Sequence, residues 1–295
     1  MSDFRLKVFQ SVAKNLSFTK ASQELFVSQP AITKHIQELE ATYQTRLVDR
    51  QRSKISLTES GRLLLEHCER ILEDYKRLEY EMHLLHNEYI GELKLGASTT
   101  IAQYVLPPLL GSFIGKFPQV NLSLLNGNSR EIEAALQEHR IDLGLVEGVF
   151  RLPNLKYTTF LEDELVAVVH SKSRLQLPEE ITPQDLPAIP LVLRERGSGT
   201  LDVIERSLQK HGVKLASLHV LMYLGSTESI KLFLENSDCM GIVSIRSICK
   251  ELAAGTFRVV EIKDMPMLRD FCFVQLQGQE GGLSQAFMNY MFMSR

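Results

Sequence analysis

The chain has 295 residues, enough for two or three domains that each bury a core, and its apolar (44%) and charged (23%) contents are those of a folded globular protein. The N-terminal stretch has charges among its apolar positions, and no apolar run approaches the roughly 20 residues of a membrane span, so we expect a cytoplasmic protein with no membrane partner. The four cysteines form no CxxC motif and have no histidine at metal spacing, which argues against structural zinc and a disulfide framework.

The net charge of −3 is unevenly distributed along the chain. Residues 1–58 hold nine Lys/Arg against five Asp/Glu, a net of +4, whereas the remaining residues hold 24 against 31, a net of −7. A basic N-terminal segment on an acidic remainder indicates that only this segment meets a polyanion.

Two short helices joined by a tight turn are predicted in FTKASQELFVSQPAITKHIQELE, residues 18–40. In the second helix, Ile32, Ile36 and Leu39 share one face and form a core stripe, and Ser28 is well placed as its N-cap. Such a pair, with a polar outer face on the second helix, is typical of a helix-turn-helix. That outer face, which needs a partner, is formed by Pro30, Thr33, Lys34 and Gln37.

A small basic hairpin is predicted next, because Arg50, Arg52 and Lys54 surround a turn that alternating apolar residues follow. Thr58 is then expected to cap a long helix. The apolar positions of this helix keep a seven-residue repeat for more than three heptads, as a coiled-coil seam requires. The pattern favours dimerisation over the alternative of packing on the helix's own domain. The seam is formed by Leu64, Cys68, Ile71, Tyr75, Leu78, Met82 and Leu85.

Strand-like and helical runs alternate after Gly91, a pattern typical of an α/β domain with largely parallel sheets. Pauses near residues 161–164 and 264–270 indicate two lobes. The predicted helices cover residues 101–117, 129–138, 200–211, 227–236 and 284–293.

The order of these parts, together with RLVDRQRSKISLTESG and its LTxxG motif, resembles the LysR-type transcriptional regulators over the whole chain. The segments GASTTIAQYVLPPLLGSF, DLGLVEG, FLEDELVAVV and LRERGSGTLDVIE are most similar to the CysL-like branch, which is associated with control of sulfur assimilation. One departure is LVDR, where the family commonly has Leu-Phe-x-Arg, so Val48 removes an aromatic anchor from the hairpin.

The resemblance implies an α+β multidomain protein that acts as a sequence-specific DNA-binding transcriptional regulator. A winged helix-turn-helix DNA-binding domain is expected at 1–58, a long coiled-coil dimerisation linker helix at 59–89, and a two-lobed α/β effector domain, similar to type 2 periplasmic binding proteins, at 90–295. A small-molecule effector is expected to bind between its lobes. Lobe 1 is expected to comprise 90–161 and 268–295, and lobe 2 to comprise 162–267.

By position and by this resemblance, Gln29, Thr33 and Lys34 are expected to reach base edges or nearby phosphates. Pro30 offers an apolar surface to a thymine methyl group, and Gln37 extends the contact. The hairpin is expected to meet phosphates or the minor groove. The remaining expected DNA contacts are Arg50, Arg52, Lys54, Thr19 and Ser28.

A coiled coil that pairs two such domains predicts an operator with two related half-sites. The resemblance further implies an interrupted palindrome, a tetramer on bent DNA, and contact with RNA polymerase. A metabolite is expected to close the lobes about hinges near Leu161–Glu164 and Asp264–Asp270, which changes the placement of the subunits.

Three predicted strand ends run into turns rich in glycine and hydroxyl groups before a helix, namely GASTTIA, GSGTLD and GSTESI. Helix N-termini expose unpaired N–H groups, so these turns can seat a carboxylate, phosphate or sulfate-like group. Ordinary helix capping is the alternative for each turn. The residues expected to line the cleft are Ser98, Thr99, Thr100, Asn128, Glu147, Ser198, Gly199, Thr200, Ser226 and Thr227.

The charge of the effector stays open at this point. The Glu147 carboxylate would repel a dianion and would pair with an amino group, so an amino-acid-like effector and a simple anion are both compatible with the sequence. Arg194 and Arg196 are candidates for binding an anion directly, with surface ion pairing as the alternative.

No catalytic residue, metal or cofactor is predicted, since the GSGT turn lacks the Lys and the spacing of a P-loop and no GxSxG or HExxH motif occurs. A two-lobed small-molecule-binding enzyme is one alternative, and a thiol redox sensor is another. One branch of the family senses peroxide through a cysteine pair, but the corresponding stretch here, LRERGSGTLDVIERSLQKHG, contains no cysteine. Cys239, expected near the cleft, is the thiol that this alternative would need.

Overall fold

The computed structural model describes residues 4–51, 54–84, 89–278 and 281–293. The chain divides into two compact units, residues 1–88 and 89–295. Within the described ranges, no helix is both long enough and apolar enough to cross a membrane.

The N-terminal unit is a winged helix-turn-helix. Its elements are α1 (Phe4–Asn15), α2 (Phe18–Glu24), α3 (Gln29–Tyr43), β1 (Val48–Gln51), β2 (Lys54–Leu57) and α4 (Glu59–Leu84). The two strands form an antiparallel hairpin, the wing, in which Val48 lies opposite Leu57. The predicted helix pair, basic hairpin and long helix are therefore confirmed.

The core stripe of α3 packs against α1 and α2. Ile32 and Ile36 are fully buried, and Leu39 is almost so, which confirms the predicted inner face. Ser28 occupies the predicted N-cap position of α3, but its side chain makes no capping hydrogen bond to the helix. A cap occurs instead at α2, where Ser17 Oγ accepts the Lys20 amide at 3.2 Å.

The start of α4 is fixed to the segment that leads into the wing. Thr58 Oγ1 accepts the Gly61 amide at 3.0 Å, which confirms the predicted cap, and donates to the Arg46 carbonyl at 2.6 Å. The Leu47 carbonyl accepts the Thr58 amide at 3.1 Å, and Glu40 Oε1 of α3 accepts the Leu47 amide at 2.8 Å. The segment around Leu47 is thus hydrogen-bonded both to α3 and to the start of α4, and it leads directly into the wing.

The predicted seam of α4 divides into two parts. Cys68 is fully buried inside the N-terminal unit, where its thiol donates to the Leu6 carbonyl at 3.2 Å. Its assignment to a dimer contact is therefore wrong, because α4 packs on α1 at this level. Leu64 packs against the same core. The seam positions farther along are partly or largely exposed in the chain, namely Ile71 (40%), Tyr75, Leu78 (53%) and Met82 (54%).

The C-terminal unit is an α/β fold. Its strands are β3 (Gly91–Ser98), β4 (Val120–Gly127), β5 (Leu143–Glu147), β6 (Leu155–His170), β7 (Glu180–Ile181), β8 (Leu191–Arg194), β9 (Val220–Leu224), β10 (Met240–Ser244), β11 (Phe257–Ile262) and β12 (Met267–Leu276). A π-helical turn, Ile101–Val105, precedes α5 (Leu106–Lys116). The other helices are α6 (Ser129–Gln137), α7 (Gly199–Lys210), α8 (Thr227–Glu235), α9 (Cys249–Ala253) and α10 (Gly282–Met293).

The strands follow the order β4-β3-β5-β12-β6-β10-β8-β9, and β11 joins β6 to β7. Lobe 1 is built on β3, β4 and β5, with α6 packed on them, and lobe 2 on β8, β9 and β10, with α7 and α8. Pairing within each of these two sets is parallel. The predicted two-lobed α/β architecture is thus confirmed.

Two long strands, β6 and β12, connect the lobes as an antiparallel pair. The predicted pause at 161–164 is wrong, because β6 runs without interruption from Leu155 to His170. Most of the second pause also lies in a strand, since β12 begins at Met267. The irregularity of the pair falls between Phe271 and Cys272.

Replacing Gly61 with alanine tests the contact between α4 and the wing. A Cβ there would lie 2.1 Å from the Leu47 carbonyl oxygen, so the backbone must shift. We expect Gly61→Ala to lower the free energy of unfolding of the N-terminal unit by about 1–3 kcal/mol. Gly111→Ala in α5 is the control, because a Cβ there meets nothing within 4 Å, and it should be neutral or stabilising by up to about 1 kcal/mol. Calorimetry of the full chain measures both, and equal stability would contradict the contact.

Candidate functional site

The outer face of α3 is open to solvent. Gln29, Pro30, Lys34 and Gln37 are exposed and Thr33 is half-buried. The Lys34 amine lies 4.0 Å from a Glu38 carboxylate oxygen, an exposed ion pair that holds it only weakly. This face therefore presents amide, hydroxyl and ammonium groups together, the types that contact base edges and phosphates. Thr19, in α2, and Ser28, directly before α3, are also exposed.

The wing places Arg50 opposite Ile55 and Lys54 opposite Gln51 in the hairpin. The side chains of Arg50 and Lys54 lie outside the described residues, as do Arg52 and the seam residue Leu85. The contacts expected of these residues therefore stay predictions.

Phe26 is a feature of this surface that the sequence did not single out. It occupies the turn between α2 and α3 with a φ of +55°, and its side chain is 94% exposed. A left-handed backbone is uncommon for an aromatic residue, and a large ring in water is unfavourable. The turn thus holds an apolar ring beside the start of α3.

The carboxyl end of β3 brings three hydroxyl residues to the junction of the lobes. The Ser98 hydroxyl donates to the buried Glu147 carboxylate at the end of β5. Thr99 Oγ1 accepts from Arg194 Nη2 of lobe 2 at 3.3 Å. Thr100 Oγ1 is buried, with no hydrogen-bond partner among the described residues. The structure thus brings together predicted residues from separate strands at one edge of the sheet.

Three of the predicted cleft residues, Asn128, Ser198 and Ser226, are N-caps whose side-chain oxygen accepts a backbone N–H from the first turn of its own helix. Ordinary capping thus describes these serines of the GSGTLD and GSTESI turns, whereas Thr100 of the GASTTIA turn makes no capping hydrogen bond. Thr227, next to the third cap, is buried. The bonds are Asn128 with Glu131 N (3.0 Å), Ser198 with Thr200 N (3.2 Å) and Ser226 with Ser229 N (3.1 Å).

Two glycines let α7 approach lobe 1 closely. The Gly197 carbonyl accepts the Arg130 amide of α6 at 3.3 Å. A Cβ on Gly199 would lie 2.0 Å from the Glu147 carbonyl oxygen, closer than any side chain allows. The lobes therefore meet backbone to backbone at this end of the cleft.

A buried ion pair joins the crossing strands beside the cleft. Arg269 Nε of β12 lies 2.8 Å from Asp163 Oδ2 of β6, and neither side chain is exposed. Arg269 Nη1 donates to Thr200 Oγ1 at 2.8 Å and lies 3.5 Å from Glu147 Oε1. Ser244 Oγ donates to the other Asp163 oxygen at 2.7 Å. One guanidinium thus contacts both crossing strands, lobe 1 and lobe 2.

Arg194 is the second buried cation of the cleft. It ends β8, is 1% exposed, and pairs with the Glu195 carboxylate at 2.8 and 3.0 Å. Its Nη2 also donates to the Gly225 carbonyl at 3.3 Å. Of the two arginines considered from the sequence, Arg194 therefore belongs to the cleft, whereas Arg196 is exposed.

Four polar atoms on residues connected to the end of β3 are buried with no partner in the part of the chain that the structure describes. They are Thr100 Oγ1, Gln103 Oε1, Arg194 Nη1 and Arg269 Nη2. The first two residues follow β3 in the chain, and Arg194 donates to Thr99. Arg269 lies 3.5 Å from Glu147, which accepts from Ser98. Buried polar groups are normally paired, so such a cluster indicates a place for a polar ligand. The sequence analysis missed Gln103 and Arg269. The sequence did contain a signal for Arg269 and Asp163, because the alternation of residues along each strand predicts that these charged side chains face the interior.

Cys239 does not border the cleft. It is fully buried before the first residue of β10, whereas the cleft contact comes from Ser244 at the other end of that strand, about 16 Å away at strand rise. Burial, with a smaller effect from Asp238, raises the pKa of its thiol to about 11. The expected position of Cys239 is therefore wrong.

Comparison with known proteins assigns both units. Residues 4–62 match the model of the bacterial regulatory helix-turn-helix proteins of the lysR family, and residues 86–292 match the LysR substrate binding domain. The chain belongs to the LysR family of transcriptional regulators. It is thus a DNA-binding regulator with an effector-binding domain, and it forms oligomers.

Three similar proteins each match more than two thirds of this chain. CysL of Bacillus subtilis is 29% identical over 269 residues, which are 91% of this chain and 89% of the relative. YeiE of Escherichia coli K12 is 33% identical over 258 residues, 88% and 85% of the two chains. The regulatory domain of CcmR from Synechocystis PCC6803, solved in complex with 2-PG, has a TM-score of 0.62 at 28% identity and covers 69% of this chain and 97% of its own.

Replacing Asp163 with asparagine tests the ion pair between the crossing strands. The change leaves the Arg269 charge buried and less well compensated, so we expect it to lower the free energy of unfolding of the C-terminal unit by about 3 kcal/mol. Glu162→Gln, one residue away on the exposed face of β6, should change it by less than about 0.5 kcal/mol. Calorimetry of the full chains measures the difference, and equal effects would show that the pair is not a stabilising contact.

Proposed function

We propose that this LysR regulator is switched by a small anionic effector that binds between the lobes at the carboxyl end of β3. The observation that carries the proposal is the cluster of buried, unpartnered atoms on Thr100, Gln103, Arg194 and Arg269. Two of these atoms are guanidinium nitrogens, which donate to carboxylate, phosphate or sulfate oxygens. The Gln103 oxygen is an acceptor, so it can bind a hydroxyl or amino group in those ligands that carry one.

The earlier objection to an anion was the negative charge of Glu147. That carboxylate accepts from Ser98 and lies 3.5 Å from Arg269 Nη1. Asp163, which shares Arg269, also lies 3.6 Å from Arg246 Nε, so two guanidinium groups compensate the two carboxylates. A hydroxy acid, an amino acid or a small oxyanion therefore fits better than a cation. Sulfur oxyanions, in line with the resemblance to the CysL-like branch, and 2-PG, with which the CcmR domain was solved, are the first compounds to test.

Closure of the lobes is the proposed switch. An effector shifts the arrangement of the lobes only if it binds one arrangement better than the other. Contacts that involve Arg194, from lobe 2, and Thr100, from lobe 1, are complete only when the lobes are together. We infer that β6 and β12 bend near residues 161–164 and 264–270, and that this movement changes the placement of the subunits and access for RNA polymerase.

The proposed DNA complex is a dimer, or a tetramer made of two dimers, paired through the exposed part of the α4 seam. Each N-terminal unit would insert α3 into a major groove, where Gln29, Thr33 and Lys34 contact the base edges with Pro30 and Gln37 beside them. Two such units require an operator with two related half-sites. We infer that the protein acts on DNA in the cytoplasm. We also infer that it is not an enzyme, since its site residues are binding groups.

A redox sensor is not favoured. Cys239 and Cys272 are buried and Cys249 is exposed, and these three are free thiols, whereas the buried Cys68 thiol donates to the Leu6 carbonyl. The raised pKa of Cys239 keeps it as the less reactive thiol form.

Binding of small anions by the full chain tests the cleft. We expect one of sulfate, phosphate and 2-PG to raise the melting temperature saturably, and Thr100→Val to weaken its affinity by about tenfold because a hydrogen bond to a charged ligand is lost. Thr158→Val, a half-buried position on β6, is the matched control and should bind as the native chain does. Calorimetric titration measures both. Equal affinity in the two variants would place the ligand elsewhere.

Selection of binding sites from random duplexes by the full chain tests the DNA face. The selected sequences should contain two related half-sites. Lys34→Ala should weaken binding to every sequence and reduce the salt dependence by about one ion, whereas Thr33→Ala should relax the choice at a base position in each half-site. Lys172→Ala, an exposed change in the C-terminal unit, is the control. Unchanged salt dependence in Lys34→Ala would remove that lysine from the interface.

A further inference from the structure

Tyr104 contacts the opposite lobe through its phenol group and its ring. It lies in the π-helical turn that follows the hydroxyl residues of β3, and its phenol donates a hydrogen bond to the Glu228 carboxylate on the first turn of α8. Tyr104 belongs to lobe 1 and Glu228 to lobe 2. The bond therefore exists only when the lobes lie together.

The acceptor is held in place by charges of lobe 2. Lys231 Nζ lies 2.8 Å from Glu228 Oε1 and 2.6 Å from Glu251 Oε1, and it donates to the Ser247 carbonyl at 3.1 Å. The Lys231 side chain is only 8% exposed, and its amine lies 5.4 Å from the centre of the Tyr104 ring. The Tyr104 ring thus packs beside charged groups that are already paired with one another within lobe 2.

The protonation states suit a strong hydrogen bond. Burial, followed by the hydrogen bond to Glu228, raises the pKa of Tyr104 far above its ordinary value, so the phenol stays a donor. Burial alone would raise the pKa of Glu228, but the hydrogen bonds from Lys231 and Tyr104 outweigh it and lower that pKa, so the acceptor stays charged. Hydrogen bonds with one ionised partner are roughly twice as strong as neutral ones.

We propose that Tyr104 is a positioning residue that latches lobe 1 to lobe 2 through Glu228 and biases the effector cleft towards the closed arrangement before any ligand binds. This latch goes beyond the proposed anion site, because neither oxygen of the bond needs an effector. Its consequence is a bias towards the closed arrangement in the free protein, which lowers the reorganisation that a ligand must drive.

The amide of Arg130 reports on lobe closure directly. It lies in the first turn of α6, where amides have no partner within the helix, and its acceptor is the Gly197 carbonyl on lobe 2. Opening of the lobes therefore exposes this amide to exchange with solvent. The reporter lies at the Gly197 end of the cleft, on an element other than those that carry Tyr104 and Glu228.

The chain supplies a matched control. Tyr157 also donates to a carboxylate, Glu133 Oε1 at 2.7 Å, but both residues belong to lobe 1. Tyr157→Phe thus removes the same kind of bond as Tyr104→Phe without crossing the cleft. Since Glu133 lies on α6 with Arg130, any local loosening of that helix would appear more strongly in the control.

The experiment is hydrogen–deuterium exchange of the full-length protein without ligand. We expect exchange at Arg130 to be about three- to tenfold faster in Tyr104→Phe than in the native chain, and unchanged in Tyr157→Phe. Glu228→Gln, which keeps an acceptor but loses its charge, should fall between them. No acceleration in Tyr104→Phe, or equal acceleration in both tyrosine variants, would overturn the latch. Because no anion is added, failure of the anion site would leave this outcome unaffected.

Discussion

The arrangement of the C-terminal unit depends on a buried charge that needs an oppositely charged partner. Arg269 and Asp163 lie on the two strands that cross between the lobes, and both side chains are sealed from water. Desolvating either ion costs several kcal/mol, so each is tolerated only in contact with its partner and with further hydrogen bonds. Arg269 also donates a hydrogen bond to Thr200 on lobe 2 and lies 3.5 Å from the Glu147 carboxylate on lobe 1. The need to satisfy a single guanidinium therefore aligns the crossing strands and both faces of the cleft.

The cleft distinguishes its ligand through unused hydrogen-bonding capacity more than through unbalanced charge. Arg194 is paired with Glu195, and Arg269 with Asp163, before any ligand arrives. A ligand that enters must therefore meet particular nitrogen and oxygen atoms in a fixed geometry, and bulk attraction between opposite charges contributes little. The basic N-terminal segment differs, since it carries an excess of positive charge that would act on many phosphates at once in the proposed DNA complex.

Local patterns predicted the elements of the fold and the exposed face of α3, because helical periodicity and turn chemistry act over a few residues. The same local evidence failed where distant packing decides. Cys68 satisfies the heptad repeat, yet α1 covers it, and the sequence offers no measure of where α4 leaves its own domain. The segment around Glu162 and Glu164 looked like an interruption, although these carboxylates alternate with buried residues along one continuous strand. Arg269 and Asp163 are 106 positions apart, so no spacing rule associates them.

The turn around Leu47 gives the N-terminal unit a mechanical property. Glu40 of α3 binds its amide, Thr58 at the start of α4 binds its carbonyl, and Gly61 packs against the same oxygen. Because these contacts hold the three elements together, a rotation of α4 about its axis would move the strands of the wing and α3 with it. In a dimer paired through α4, the angle between the two α4 helices would therefore set the distance between the two α3 helices along a DNA duplex.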